Sequence, residues 1–232
     1  MTVKTIYLAK RNPGTTYEEF QKNWADHAVL SGSFPDVGAR FNAVVQVKRI
    51  VGLEDEPGLF QEYDGANLLT LTSLADSIEV YDQEGIPTLR IDEKRVFDDY
   101  VSESSMTGVE SVLNDVPLGK VVLLELVRRK PGTNMAQFVK AWSGVYARSV
   151  MATDAFTSKA GRYLHTHIIL PTPPGYAYDG ISETWFDSVD DALAYVREID
   201  KVDLDDEGFD LGFRTMLDLN HAWIRRPKTP KP

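Results

Sequence analysis

The chain has 232 residues, contains no cysteine and carries a formal net charge of −10 at pH 7. The absence of thiols excludes disulfide bonds, thiolate metal sites and cysteine nucleophiles. The acidic balance argues against a nucleic-acid partner and against an anionic membrane surface, because both require a basic face. No apolar run approaches the roughly 20 residues of a membrane-spanning helix, and the N-terminus lacks a signal-peptide core. We therefore expect a cytoplasmic protein.

The first half of the chain alternates strand-like and helix-like segments. Its composition predicts β-strands at 3–10, 40–51, 65–71 and 107–113. The first helix follows Pro13-Gly14 and can be capped by Thr15 or Thr16. It presents one largely apolar face, which consists of Tyr17, Phe20, Trp24, His27 and Ala28. Further helices are predicted at 74–81 and 89–98. The order β-α-β-β-α-β is that of a ferredoxin-like unit.

The second half repeats this order. Strands are predicted at 120–128, 162–170, 180–186 and 220–225. Thr133 is placed to cap a helix at 134–150, and an amphipathic helix is predicted at 189–199. We also expect a helix at 209–218. The tail at 225–232, which contains three prolines and four basic residues, is expected to be disordered.

Two groups of residues occur twice at matching distances. The first group recurs 118 residues later, with Pro13, Gly14, Thr15, Phe20 and Trp24 returning as Pro131, Gly132, Thr133, Phe138 and Trp142. Tyr63-Asp64-Gly65 returns 115 residues later as Tyr178-Asp179-Gly180. This repetition predicts a duplicated small domain, with one half at 1–115 and the other at 116–232. The short linker at 114–119 suggests that the halves pack against each other.

At these residues the sequence resembles the EthD-like family of the dimeric α+β barrel superfamily. The second half matches the family pattern at Arg129, Pro131, Gly132, Phe138, Trp142, Tyr163, His167, Tyr178, Asp179, Gly180, Ile181, Glu183, Trp185 and Phe186. The first half matches it at Arg11, Pro13, Gly14, Phe20, Trp24, His27, Asp92, Glu93 and Phe97. The resemblance implies an α+β fold in which two fused ferredoxin-like βαββαβ halves form a barrel within one chain.

Each half also departs from the family pattern. Val45 and Leu68 stand where the first half would carry the strand histidine and the glutamate. Val145-Tyr146 replaces the helix histidine in the second half. The wider superfamily includes cofactor-independent monooxygenases, polyketide cyclases, dehydratases, decarboxylases and haem enzymes, so the fold alone does not decide the function.

The second half supplies most of the candidate catalytic residues. His165 and His167 are two residues apart on one strand, so they share a face with Tyr163. Two imidazoles and a phenol in one cavity suit general acid-base catalysis near neutral pH. Glu183 would orient a histidine or act as a base if it faces the same cavity. The alternative is that one histidine lies at the barrel rim and the other is a hydrogen-bonded core residue.

In the first half, His27 lies on the buried face of its helix, where an ionisable side chain is costly unless it has a partner or a function. The alternative is a core histidine that is hydrogen-bonded to the backbone. His221 on the last strand is a weaker candidate. Further residues are candidates for the pocket wall: Tyr7, Trp24, Glu125, Trp142, Tyr146 and Tyr163. Glu125 lies in an apolar strand and is expected either as an interior acid or in an ion pair with an arginine such as Arg162.

No resident cofactor is expected. His165 and His167 with Glu125 or Glu183 would give two imidazoles and a carboxylate, a composition known for iron or zinc, but a His-x-His strand alone is a weak signal. A haem cofactor is suggested only by analogy with the superfamily. Flavin and nicotinamide are not indicated, because the glycines form no phosphate-binding pattern.

The sequence therefore favours a cofactor-independent enzyme that acts on an apolar, aromatic or polyketide-like small molecule by general acid-base chemistry. The reaction would be that of a lyase, through dehydration, decarboxylation or a related elimination, or that of an isomerase or cyclase. One alternative is a cofactor-independent monooxygenase, and another is a non-catalytic protein that binds a small molecule. Which half holds the working pocket, and whether the barrel forms a homodimer, are left open.

Overall fold

The computed structural model describes residues 2–202 and 208–224. The first half contains the strands β1 (Thr2–Ala9), β2 (Phe41–Arg49), β3 (Gly65–Leu71) and β4 (Ser105–Asn114). Its helices are α1 (Tyr17–Gly32), α2 (Pro35–Gly38), α3 (Asp76–Glu79) and α4 (Ile86–Val96), with 3-10 turns at Val80–Asp82 and Val101–Glu103. The helix predicted at 74–81 is thus one short α-helical turn that continues as a 3-10 turn.

The second half contains the strands β5 (Val121–Arg129), β6 (Ala160–Ile168), β7 (Gly180–Phe186) and β8 (Phe209–Ile224). A long helix begins as α5 (Met135–Val139), passes through a π-helical segment at Lys140–Tyr146 and ends as α6 (Ala147–Met151). It is followed by α7 (Asp154–Lys159), and α8 (Val189–Ile199) precedes the last strand. Within the described ranges, no helix is long and apolar enough to cross a membrane.

The eight strands close into one barrel in the order β1-β3-β2-β8-β5-β7-β6-β4, and all neighbouring pairs are antiparallel. Each half contributes four adjacent strands in the ferredoxin-like order, β4-β1-β3-β2 and β8-β5-β7-β6. The halves meet at two seams, where β2 pairs with β8 and β4 pairs with β6. The predicted fold class, two fused ferredoxin-like halves that form an intramolecular α+β barrel, is confirmed.

Side chains alternate between two buried layers, because successive residues of a strand point to opposite faces. One face of each sheet points into the barrel, where Ile6, Leu68, Leu124 and Trp185 belong to a core built by strands of both halves. The other face lies under the helices of its own half. Each half therefore has a separate layer between its sheet and its helices, and the candidate site lies in one of these layers.

The first helices of the two halves begin in the same way. Thr16 caps α1, accepting a hydrogen bond from the backbone N–H of Glu19, and the Glu19 side chain accepts one from Thr16 in return. Asn134 and Gln137 form the same capping box on α5. The expected cap at Thr133 is therefore wrong by one residue: the asparagine that follows provides the side-chain acceptor.

The repeated sequence groups contact each other in the folded protein. Asp64 accepts hydrogen bonds from the backbone and guanidinium of Arg11, and Asp179 does the same for Arg129. A Cβ atom at Gly65 would lie 2.6 Å from the Trp24 ring, and one at Gly180 would lie 2.3 Å from the ring of the second-half tryptophan, Trp142. The repetition thus marks an architectural contact: an ion-paired aspartate precedes each glycine, and the glycine leaves room for the tryptophan ring.

The prediction of a helix at 209–218 is wrong, because these residues form the first part of β8 and pair with β5 from Phe209 to Asp218. Phe209, Leu211 and Phe213 alternate with small or polar residues, which is the period of a strand. The boundary between 115 and 116 falls in the connection between β4 and β5 and stays a prediction. The expected disordered tail at 225–232 lies outside the described residues.

Candidate active site

A cavity of about 680 Å³ lies between the sheet and the helices of the first half. Most of its wall is apolar and includes Phe34, Val37, Val44, Leu69, Val80 and Leu89. Six buried residues with polar groups interrupt this wall, namely Thr5, Tyr7, His27, Asn67, Ser77 and Glu93. No lysine or arginine is found in the described lining. A few polar groups in an apolar cavity of this size are typical of a small-molecule site.

His27 is positioned by α1, whose buried face also carries Phe20 and Trp24. Its Nδ1 atom lies 2.9 Å from Oδ2 of Asp92 on α4. Arg95 donates to the same carboxylate, from Nε to Oδ1 at 2.8 Å, and this hydrogen bond lowers the pKa of Asp92. The carboxylate is therefore ionised near neutral pH and accepts the Nδ1 proton of a neutral imidazole. That tautomer leaves the Nε2 lone pair free to accept a proton.

Burial lowers the pKa of His27, and the hydrogen bond and charge of Asp92 oppose this effect. The net direction is downward, so the imidazole is neutral at pH 7 and competent as a base. The His27 and Phe97 rings are nearly perpendicular, with ring centroids 5.6 Å apart. The aromatic contact and the carboxylate together fix the orientation of the imidazole.

Tyr7 lies on β1 with its phenol in the cavity wall. The phenol oxygen accepts a hydrogen bond from Trp24 Nε1 at 3.3 Å and another from Asn67 Nδ2. Burial raises the pKa of Tyr7, so the group stays protonated at neutral pH. Since both neighbours donate to the oxygen, the phenolic hydrogen is left for a third partner. Tyr7 can thus donate a hydrogen bond to a molecule in the cavity.

Glu93 follows Asp92 on α4 but faces the cavity. Its Oε2 atom accepts a hydrogen bond from the backbone N–H of Val101 at 3.2 Å. Burial raises the pKa of this carboxyl. Glu93 forms no ion pair with any of the described residues. The cavity therefore holds a second group that can carry a proton.

One part of the cavity wall comes from the other half of the molecule. His221 and Trp223 lie on the C-terminal part of β8, which pairs with β2 across the seam, and both line the cavity. Both side chains are exposed, so they form the rim. The site of the first half is therefore completed by a strand of the second.

The layer of the second half contains the other histidines in a different setting. Ser143 Oγ lies 2.8 Å from Nδ1 of His165 and 3.1 Å from Nε2 of His167, and Nε2 of His165 lies 2.7 Å from the Tyr163 hydroxyl. The ring of His165 stacks on Trp142 with centroids 3.8 Å apart. As expected, Tyr163, His165 and His167 share one face of β6. They line no part of the 680 Å³ cavity.

Burial lowers the pKa of His165 well below its ordinary value, and the charge of His167 acts in the same direction. Burial also lowers the pKa of His167. His165 has partners at both ring nitrogens and is fully buried. It therefore has the contacts of a core histidine, which was the alternative considered from the sequence.

Glu183 does not face the histidines. It points into the barrel, where Lys4 Nζ lies 2.6 Å from its Oε1 and 2.5 Å from Oε2 of Glu110. The expectation of a shared cavity is therefore corrected. Every residue of β7 is buried, on both faces, so its sequence shows no alternation that would reveal which face meets the helices.

Glu125 forms an ion pair, but its partner is Arg214 on β8 and not Arg162. The Arg214 Nε atom lies 2.7 Å from Glu125 Oε1, and Ser182 donates to Oε2 at 3.0 Å. Arg162 instead pairs with Asp115 near the connection between the halves. Tyr146 is buried beside Glu125 and Arg214, and burial raises its pKa. These groups belong to the second half's layer and not to the cavity.

The second-half helix that corresponds to α1 carries larger buried side chains. Ala28 and Gly32 of α1 line the cavity, whereas Tyr146 and Val150 are buried in the aromatic core of the second half. The spacing of 118 residues does not continue past the π-helical segment at Lys140–Tyr146, because that segment adds a residue to the helix.

Of the predicted site residues, the structure brings Tyr7, Trp24 and His27 together in one cavity, with His221 at its rim. Sequence reasoning assigned no role to Asn67 or to Glu93. Glu93 was noted only as part of a family pattern. Asn67 could have been noticed as a polar residue in the apolar strand 65–71.

The donor groups can also be tested against a metal or a haem. Among the described residues, no cluster of three or more His, Asp or Glu side chains could hold a metal ion. His27 with its carboxylate partner resembles a metal-ligating histidine. However, the described lining offers no basic side chain to pair with haem propionates. The histidines of the second half pack against the rings of Trp142 and Phe138. These residues do not fit a haem.

No family model matches the sequence, and no curated protein matches it. Solved structures do match. An anthrone oxidase-like protein is 11% identical, with a TM-score of 0.62 over 96% of this chain and 92% of that chain. A variant of chlorite dismutase from Candidatus Nitrospira defluvii is 10% identical, with a TM-score of 0.58 over 95% and 92%. A monooxygenase-like protein from Lactobacillus acidophilus is 7% identical, with a TM-score of 0.51 over 94% and 92%. The chain thus shares an α+β barrel fold with these proteins.

Proposed function

We propose that the chain is a cofactor-independent enzyme of the EthD-like type that binds a mostly apolar small molecule in the first-half cavity and transfers a proton with His27. The observation that carries the proposal is the hydrogen bond between His27 Nδ1 and Asp92 at the wall of an apolar cavity. A neutral imidazole fixed by a carboxylate, with its other nitrogen free, is the arrangement of a general base. The reaction class is that of a lyase or isomerase.

The chemistry follows from the groups in the wall. His27 Nε2 removes a proton from a carbon atom next to a carbonyl group of the substrate. Negative charge then develops on the carbonyl oxygen, where the Tyr7 hydroxyl can stabilise it by donating a hydrogen bond. The protonated imidazole, or Glu93, returns a proton to another carbon or to a leaving group. In isomerisation the proton goes to another carbon atom of the enolate. In elimination the electron pair of the enolate forms a double bond as the bond to the leaving group breaks, and the leaving group takes the proton.

The second half supports this assignment by contrast. Its histidines are hydrogen-bonded to Ser143 and Tyr163 and are packed against Trp142. A base needs a lone pair that a substrate can reach, and the fully buried His165 offers none. The proposal therefore assigns proton transfer to His27 and a structural role to His165.

The proposal can be tested without knowing the natural substrate. The probe is 2-tetralone, an uncharged enolisable ketone that the cavity can hold. NMR in deuterium oxide follows the exchange of its C–H groups next to the carbonyl. We expect the wild type to accelerate exchange and His27→Gln to lose about 10²–10⁴-fold of the acceleration. The comparison variant is His167→Gln, which changes a histidine outside the cavity and should keep the wild-type rate. Equal rates for His27→Gln and wild type would disprove the proposal.

A cofactor-independent monooxygenase is the second candidate, and the name of the anthrone oxidase-like neighbour favours it. Such an enzyme would form the same carbanion and let it react with oxygen. An oxygen electrode separates the two readings, because only the monooxygenase consumes oxygen when an enolisable substrate is added. A non-catalytic binding protein would bind 2-tetralone but cause neither exchange nor oxygen uptake.

A further inference from the structure

Glu93 is the one acidic side chain in the described lining of the cavity, and half of its carboxylate has no partner. The residue is only 9% exposed, and its Oε2 atom accepts a hydrogen bond from the backbone N–H of Val101. No described residue donates to Oε1, yet this oxygen is not among the side-chain atoms that are both enclosed and unpartnered. Oε1 therefore has accessible surface, and a molecule in the cavity can reach it.

The described part of the protein supplies no cation to this carboxylate. The described lining contains neither lysine nor arginine. The charge of Arg90 acts on Glu93, but the Arg90 guanidinium lies over the ring of Tyr100, 4.5 Å from the centroid, and forms no ion pair with Glu93. An ionised carboxylate that is buried without a cation costs free energy. A ligand that brings a positive charge to Oε1 would offset this cost.

Aromatic rings provide much of the remaining wall, namely those of Trp24, Phe34, Phe41, Tyr81 and Trp223. The face of an aromatic ring attracts a cation, and this attraction is stronger when both groups are out of water. The same rings offer apolar contact area to a hydrocarbon body. The net charge of −10 also attracts cations to the protein as a whole. The wall thus suits an apolar molecule that carries one positive charge.

We infer that the cavity binds an amine with an aromatic or alicyclic body, and that the ammonium group of this ligand pairs with the Glu93 carboxylate. The inference rests on the proposed function only in that it concerns the same cavity. It names the class of substrate, whereas the proposed function names the residue that moves the proton.

The competing occupant is an uncharged molecule. Burial raises the pKa of Glu93, and a protonated carboxyl would donate a hydrogen bond to a neutral acceptor. A bound ammonium group acts in the opposite direction, because it stabilises the ionised carboxylate. The two occupants differ in charge, so ligands that differ mainly in charge distinguish them.

Three tetralin derivatives of similar size provide the test. At pH 7.5, 2-aminotetralin is a cation, 2-tetralol is uncharged and tetralin-2-carboxylate is an anion. Isothermal titration calorimetry at this pH measures each Kd. We expect the amine to bind at least about tenfold more tightly than the alcohol, a difference of about 1.4 kcal/mol. The anion should bind more weakly than either, because Glu93 repels it.

Variants locate the preference. In Glu93→Gln, the Kd values of amine and alcohol should become equal within about twofold, because a neutral amide forms no ion pair with the ammonium group. Glu103→Gln is the matched control: Glu103 is exposed and outside the lining, although its charge acts on Glu93, so the preference should persist. If Glu93→Gln does not fold, the wild type in about 0.5 M sodium chloride still tests the inference. Salt screens the net charge of the protein more than a buried pair, so the preference should remain.

The inference would be overturned by equal affinities for amine and alcohol, by tightest binding of the anion, or by a preference that survives in Glu93→Gln. A preference that disappears in salt would overturn it too, since the overall charge would then be its source. These outcomes are independent of turnover. Accelerated exchange of 2-tetralone in a protein with no preference for the amine would contradict the inference alone. A Glu93-dependent preference in a protein that exchanges no protons would contradict the proposed reaction alone.

Discussion

His27 Nδ1 and Asp92 Oδ2 lie 2.9 Å apart and join α1 to α4 at the wall of the cavity. The Asp92 carboxylate also accepts from Arg95, a neighbour on its own helix. It is thereby held between a histidine that can change charge and an arginine that cannot. The protonation state of the His27 imidazole therefore depends on Asp92.

The first prediction concerns this dependence. Asp92→Asn should lower the pKa of His27 further, because the hydrogen bond and charge of Asp92 raise it against the effect of burial. NMR of the imidazole Cε1–H across pH 4–9 measures the change. Asp26→Asn is the control, since Asp26 is an exposed acid on the same helix. A rise in the pKa of His27 in Asp92→Asn would contradict the interpretation.

The second prediction is the pH dependence of proton exchange. A base must be unprotonated, so the rate should fall as the pH drops through the pKa of His27. Because burial lowers that pKa, the midpoint of the fall should lie below the ordinary value of about 6.5. Exchange of 2-tetralone measured from pH 5 to pH 8 gives the midpoint. A midpoint above 7 would exclude His27 as the base.

The third prediction concerns acid stability. The folded protein holds His165 at a pKa well below its ordinary value, whereas the unfolded chain protonates it near pH 6.5. Below that pH the unfolded state binds an extra proton, so the free energy of unfolding decreases by up to about 1.4 kcal/mol per pH unit from this group. Urea unfolding at pH 5.5–8 should therefore give a shallower pH dependence for His165→Gln. Parallel curves for the two proteins would contradict this prediction.

The fourth prediction concerns the glycines that seat the tryptophans. A Cβ atom at Gly65 would lie 2.5 Å from the carbonyl oxygen of Val47 and 2.6 Å from Trp24. We expect Gly65→Ala to destabilise the protein by about 1–3 kcal/mol, because a rigid neighbour must move. Gly32→Ala is the control, since a Cβ at Gly32 meets no atom within 4 Å. Chemical denaturation measures both, and equal stabilities would contradict the assignment.

The fifth prediction concerns the buried ion pair of the second half. Arg214→Met leaves Glu125 as an unpaired buried charge and should reduce the free energy of unfolding by about 3–5 kcal/mol. Adding Glu125→Leu should recover a large part of that loss, because neither charge then remains. A double variant as unstable as Arg214→Met, or more so, would show that the pair does not act as a unit.

The sequence predicted two similar halves because its pattern is redundant, and the resemblance to the EthD-like family implied that the halves form a barrel. A tryptophan and the glycine that accommodates it occur once in each half, as Trp24 with Gly65 and as Trp142 with Gly180. Each copy strengthens the interpretation of the other. The interior side of β7 could not be predicted in the same way. Both faces of that strand are buried, so Glu183 follows the same alternation whether it faces the barrel or the helices.

The location of the cavity was also beyond the sequence pattern. The volume of a cavity depends on the sizes of side chains from several helices and strands, so no single sequence motif predicts it. Candidate histidines were chosen by residue type, and type alone does not reveal whether the space beside them is open.

The two seams of the barrel have a consequence for how such a molecule can change. In a barrel of two identical chains, every substitution appears at both copies, and dilution separates the partners. Here the β2–β8 and β4–β6 seams lie within one polypeptide. A substitution can therefore change one half alone, and dilution cannot separate the halves. One half can keep an open cavity while the side chains of the other half pack into an aromatic core. The second half still contributes β8 to the rim of the cavity. The two halves therefore depend on each other, although the layers beneath their helices differ.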